Sequence, residues 1–405
     1  GGAGVNVSPH GCDGGKDLAK TLCAPPEGCF GRGAFFWKKH ANFLSILQKN
    51  VIIVEKRFAF RGGIMLKIVV DAMGGDNAPS EIVKGALDAL ADRGDFKVIF
   101  TGDESLVKYE LDKYTYDASR VEIVHCSQVI TNDDVPTSAV RSKRDSSLVV
   151  GLNLLKNDIS AGGFVSAGST GAVLTGGIMF IGRIKGGMRP ARCPGIPNVR
   201  GTQTLLCDCG ANAECKPAYL AQFGVMASAY ARAAFGVKEP KVGLLTNGTE
   251  EHKGDPLHQE AHRLLKETKG INFVGNIEGR DIMYGDVDVA VSDGFSGNIA
   301  LKAIEGCGKT VAEMLKKEFT ASLGSKLSYL FAKKPIKGLT RALDYSRFGG
   351  SVFLGLKKVV VKSHGSSKAK SIKPSVYQAL DACRGGLIGM MEEMLAETPD
   401  GEENA

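Results

Sequence analysis

From residue 65 onward the chain alternates two apolar patterns. Short unbroken runs at 67–71 (KIVVD), 97–101, 121–125, 164–165, 204–207, 242–245, 272–274, 287–291 and 358–361 have the length of buried parallel strands. Longer stretches between them predict helices over 79–92, 104–111, 145–156, 172–181, 217–235, 255–269, 298–319 and 374–395. Pro79 in a first turn and Gly94 past an end punctuate the first of these helices. Residues 131–136 read as a polar loop. Residues 188–201, with three prolines and no period, read as a long surface connection. Strands alternating with helices in this way predict an α/β protein with a doubly wound, mostly parallel sheet.

Composition narrows the function. The 405 residues are 43% hydrophobic and include 52 Gly, which suits an α/β enzyme with many tight turns. The net charge of +7 invites a nucleic-acid reading, but residues 1–64 hold nine Lys/Arg against four Asp/Glu. Only +2 remains for the rest, so nucleic acid loses its support. Of the ten cysteines, Cys12, Cys23 and Cys29 lie in that first stretch. Cys207, Cys209 and Cys215 show no CxxC or disulfide pattern, which favours free thiols in a reducing cytoplasm and no metal. No apolar run approaches the roughly 18 residues of a membrane span, and no signal peptide is visible. Residues 1–64 hold the only tryptophan, Trp37, and no sustained period. They are expected to be a disordered leader or added segment before a start at Met65, with 65–405 as one α/β domain. Intact-mass analysis of the native protein tests that expectation.

In doubly wound sheets, ligands collect at the carboxyl ends of the strands. Six polar turns follow strands here: DAMGGDNAP (71–79), SAGSTGA (166–172), DCGAN (208–212), NGTEEHKGD (247–255), DGFSGN (293–298) and HGSS (364–367). Asp, Asn and Gly are turn formers anywhere, but six such turns in succession at one edge are harder to explain that way. Around 162–177, a short strand, a small-residue turn and an apolar helix start present free N–H groups to an oxyanion. The plainer reading is a tight turn with glycines chosen for packing. No dinucleotide glycine fingerprint, nucleophile elbow or P-loop occurs. What remains is small-oxyanion binding with no covalent nucleophile and no nucleoside pocket.

These six motifs, the last extended to VKSHG, resemble the phosphate:acyl-acyl-carrier-protein acyltransferase family (PlsX) over nearly all of the chain beyond residue 64. Ser169 stands where that family is expected to carry Asn. The resemblance implies a three-layer α/β/α fold of the isocitrate/isopropylmalate dehydrogenase or phosphotransacetylase type, in a cytoplasmic homodimer without cofactor. It implies reversible transfer of a fatty acyl group from acyl carrier protein to inorganic phosphate. The acyl phosphate would feed phosphatidic acid synthesis through a downstream glycerol-3-phosphate acyltransferase.

The residues agree with that chemistry. Phosphate at neutral pH is already a nucleophile and needs only to be held in line with the thioester carbonyl, its charge partly neutralised. Lys253 is expected to supply the cation, and Asn298 a donor to phosphate or the developing oxyanion. Gly74, Gly75, Asn77, Ser169, Thr170, Gly171, Asn212, Ser296, Gly297 and His364 are the expected phosphate and substrate contacts. Asp71, Asp76 and Asp208 would repel phosphate, so they are assigned to orienting Lys253 or turn N–H groups. The plainer readings are a solvated lysine at a helix start for Lys253 and a helix cap for Asn298. His252 and His364 fit a structural role as well as an acid or base role.

An excursion near 319–350 is separate. Leu323, Leu327, Leu330 and Phe331 share a helix face, with Lys326, Lys333, Lys334, Lys337 and Arg341 among and after them. This pattern suits either peripheral contact with an anionic membrane or a dimer interface. The rivals to the acyltransferase are a phosphate acetyltransferase using a coenzyme A thioester, a decarboxylating dehydrogenase, and a non-catalytic phosphate or acyl sensor. The dehydrogenase would need an arginine cluster, which the turns lack.

Overall fold

All nine apolar runs are strands, and two further strands join them. In the computed structural model, which describes residues 65–184, 188–342 and 345–396, the eleven are β1 (Leu66–Asp71), β2 (Phe96–Gly102), β3 (Val121–His125), β4 (Ala161–Ser166), β5 (Ala191–Pro197), β6 (Gln203–Cys207), β7 (Lys241–Leu245), β8 (Asn272–Ile277), β9 (Val289–Val291), β10 (Ser351–Leu354) and β11 (Val359–Lys362). The predicted leader, and the side chains of Leu323, Leu330, Lys337 and Arg341, lie outside the described residues. The helices are α1 (Ser80–Asp92), α2 (Glu104–Leu111), α3 (Pro136–Ser142), α4 (Ser147–Asn157), α5 (Thr170–Gly176), α6 (Pro217–Phe235), α7 (Pro256–Glu267), α8 (Asp281–Tyr284), α9 (Gly294–Thr320), α10 (Leu323–Ala342), α11 (Ala369–Arg384) and α12 (Leu387–Ala396).

The strands form one sheet in the order β3-β2-β1-β4-β11-β10-β5-β6-β9-β7-β8. Pairing is parallel in both wings and antiparallel only at β11/β10, β10/β5 and β5/β6. The chain runs outward from β1 to β3 and returns on the other side of β1 as β4, which opens a switch point between Asp71 and Ser166. Ile68 and Val70 face a core closed by α1, α6, α11 and α12, whereas Val69 faces a second core under α3, α4 and α5. The result is three layers. Gly85 of α1 lies against Ala369 and Ile372 of α11, where a Cβ would come within 2.6 Å of the Ile372 Cβ.

Residues 188–201 are not a surface connection. Within them β5 is buried at the centre of the sheet, with Ala191 and Cys193 fully inaccessible. Its first half, up to Pro194, pairs with β10, and Gly195 to Pro197 pair with β6. Each proline therefore ends a ladder, where its missing N–H matters least. The predicted closing helix is two, α11 and α12, broken at Gly385 and Gly386, the latter with φ +70°. The loop 131–136 leads straight into α3, and the helix predicted over 172–181 is α5 followed by a π-turn.

Candidate active site

The six turns stand in two groups along the strand ends. In the first, buried Asp71 accepts the Ser166 hydroxyl at 2.6 Å and the Met73 N–H at 3.3 Å, tying β1 to β4. Burial pushes its carboxyl upward, opposed by the hydroxyls of Ser147 and Ser166. Gly74 approaches so closely that a Cβ would lie 2.5 Å from Asp71 Oδ2 and 2.8 Å from the Gly168 nitrogen. Gly75 adopts φ +99° beside Gly365, whose carbonyl accepts the Asp76 N–H at 2.9 Å. Asn77 donates to the carbonyls of Ser366 and Ser367, both at 3.2 Å. The turns after β1, β4 and β11 are thereby stitched together. His364 bonds to Ser366 Oγ at 2.9 Å and feels Glu305, Lys302 and Lys309 of α9, while burial lowers its proton affinity.

In the second group, buried Asp208 anchors the turn after β6. It accepts from the backbone N–H of Arg192 (2.8 Å), Ala211 (3.1 Å), Asn212 (2.7 Å) and Cys209, and from the Asn212 amide (3.0 Å). Burial pushes its carboxyl upward despite these donors. Asn212 also donates to the Pro190 carbonyl at 2.9 Å, so its amide is committed to the turn. Gly294 and Gly297 of α9 press onto this turn, and a Cβ on Gly297 would overlap the Asp208 carbonyl. Asp293 caps α9 by accepting from Phe295 (2.9 Å) and Ser296 (2.8 Å). Asn298 comes next, its amide beside Gly210, whose φ is +97°.

The loop after β7 carries Lys253, half-buried, with its stem over Gly248. Gly254 N–H donates to Asn247 Oδ1 at 3.0 Å, and His258 sits between Asp255 (2.6 Å) and Asp293 (3.7 Å). This histidine links the lysine loop to the start of α9, a connection the sequence did not advertise. Neither Asp71 nor Asp208 pairs with Lys253. Both accept backbone N–H groups of the turns.

Of the other expected contacts, Ser169 precedes α5 without capping it, and Thr170 opens that helix. Gly171 packs on Pro136, where a Cβ would come within 2.8 Å of a ring carbon, which supports the packing reading for that glycine. Sequence reasoning assigned no role to Lys362 or Arg192. Lys362, at the end of β11, is only 5% exposed, and burial lowers its pKa to about 7. Arg192 on β5 reaches Ser351 Oγ at 3.1 Å and the Cys209 carbonyl at 3.3 Å. Among the described residues, no group of three or more His, Cys, Asp or Glu is placed to hold a metal.

Known proteins agree with this architecture. A family model described as fatty acid synthesis protein matches residues 66–390. The phosphate acyltransferase of Clostridioides difficile (strain 630) is 42% identical over 339 residues, covering 84% of this chain and 99% of that protein. That of Alkaliphilus oremlandii (strain OhILAs) is 44% identical over 337 residues, covering 83% and 99%. Among solved structures, a phosphotransacetylase from Streptococcus pyogenes superposes with TM-score 0.54 at 19% identity, over 82% of this chain and 96% of its own. The EutD phosphotransacetylase from Staphylococcus aureus gives 0.51 at 19% identity, over 80% and 95%. Those two likenesses establish the fold alone. The chain belongs to the PlsX phosphate acyltransferase family, and its activity is that of a phosphate acyltransferase in fatty acid and phospholipid synthesis.

Proposed function

We propose that acyl transfer from the carrier-protein thioester to phosphate takes place along the strand ends that carry Lys253 and Asn298. The observation behind this reading is a division of labour. Asp71, Asn77, Asp208, Asn212 and Asp293 are spent on holding backbone. Lys253 and Asn298 have no side-chain partner among the described residues, and they stand on adjacent turns linked by His258. A phosphate oxygen attacks the carbonyl carbon, Lys253 offsets the anionic charge, and Asn298 donates to the developing oxyanion. The C–S bond then breaks, and the proton of hydrogen phosphate ends on the departing thiolate. A thiol with pKa near 8.5 leaves with little acid assistance.

The test is acyl phosphate formation from palmitoyl acyl carrier protein and phosphate, trapped as the hydroxamate. Wild type is expected to form product, and Lys253→Ala to lose about 10²-fold or more in kcat. Turnover only with a coenzyme A thioester would replace the donor. No turnover with either donor would leave a sensor.

For partners, exposed Phe295, Ile299 and Met314 of α9 and Leu327 and Phe331 of α10 fit an apolar contact made outside the fold. Either an anionic membrane or a second subunit suits that face. No helix among the described residues is long and apolar enough to cross a membrane.

A further inference from the structure

Two cations are left over by the chemistry above. The Lys362 ammonium donates to the Ala167 carbonyl at 3.4 Å and to the Ser363 carbonyl, and its third N–H has no partner among the described residues. Arg192 is half-buried and is held by one hydroxyl and one carbonyl. Neither head forms an ion pair with a carboxylate among the described residues. They are neighbours, because Ser351, which accepts from Arg192, stands opposite Lys362 in the β10/β11 ladder. A buried cation beside a half-buried one, with no carboxylate paired to either, is costly, and a dianion between them removes the cost.

The surroundings say which anion. Ala167 leads into the Gly168–Gly171 turn, and Cys209, which accepts from Arg192, precedes the Gly210 that lies on Asn298. We propose that Lys362 and Arg192 form the seat of the attacking phosphate dianion, between the turn after β4 and Asn298. This rests on the reaction proposed above. In the sheet, β9, which leads to Asn298, lies between β7 and these strands, so Lys253 acts from the other side of Asn298.

The seat has a proton signature. Burial, then the charge of Arg192, lowers Lys362 to about 7, with Lys302 of α9 acting the same way and Asp76 and Asp71 opposing. His364, two residues along, feels the Lys362 charge as well. At pH 8 the empty site therefore holds mostly neutral amine. An entering dianion restores the ammonium, so binding takes up about one proton from solution.

Calorimetric titration of phosphate and of sulfate into the full chain at pH 8, in two buffers of different ionisation enthalpy, reads that proton. Phosphate is then already the dianion and sulfate does not titrate, so any uptake belongs to the protein. Wild type is expected to take up close to one proton with both anions. Lys362→Met is expected to take up none, with phosphate Kd and KM raised about tenfold or more and thioester KM changed less than about twofold. Anion binding without proton uptake in wild type overturns the proposal, whether or not the variant folds. So does a folded Lys362→Met with phosphate Kd and KM within about twofold of wild type. Hydroxamate formation by wild type is scored separately. Its absence removes the proposed reaction, while the titrations still decide whether Lys362 seats phosphate.

Discussion

Single atoms decide much of this site. Gly297 has no room for a methyl group, because its backbone lies on the Asp208 carbonyl and not on a flexible side-chain end. Gly297→Ala is therefore expected to destabilise the fold by about 2–4 kcal/mol, read by denaturant unfolding. Asp208→Ala removes the acceptor of five donors around a buried carboxylate and should cost about 3–5 kcal/mol, with loss of activity. Lys362 adds a pH dependence of opposite sense to a stabilising ion pair. Between about 7 and the ordinary value of 10.5 the unfolded chain binds a proton there that the folded chain does not. Stability of wild type relative to Lys362→Met should thus rise with pH across that window in phosphate-free buffer. A flat difference would contradict the buried, lowered lysine.

At the level of elements, the turns were the legible part of the site. Glycine, aspartate and asparagine after apolar runs mark strand ends, and all six motifs lie where such runs terminate. Lys362 escaped because a lysine after a strand reads as a solvated residue, and only the register of β10 and β4 around it shows otherwise. β5 escaped because proline argues against a central strand, and its change of partner at Pro194 is invisible in one dimension. β10 is four residues long and follows two glycines, too short to show a period. On α9 and α10, Phe319 and Tyr329 pack at 5.8 Å between ring centres, so the two helices associate while Met314, Leu327 and Phe331 stay exposed. Leu327→Glu should reduce pelleting with anionic vesicles if that face meets lipid. If it meets a second subunit, the same change should instead lower the sedimentation coefficient.

Across the whole molecule, the doubly wound class was readable from alternation alone, whereas the joining of two parallel wings through antiparallel β10 and β5 was not. Stability should follow that plan. Amides of β1, β4, β10 and β6, buried at all or all but one of their positions, are expected to exchange slowest, and those of β3 and β8 at the two edges much faster. Peptide-resolved hydrogen exchange reads this directly. The strand order also sets a timetable for synthesis. β11 pairs with β4 and brings Lys362, His364 and the carbonyls that hold Asn77, yet it is made after everything from β1 through α10. On the ribosome, the first wing therefore waits with β4 unpaired on that side and its anion seat absent. Any pause or cleavage before β11 emerges leaves a chain that has most of its core and lacks the lysine held between the Ala167 and Ser363 carbonyls.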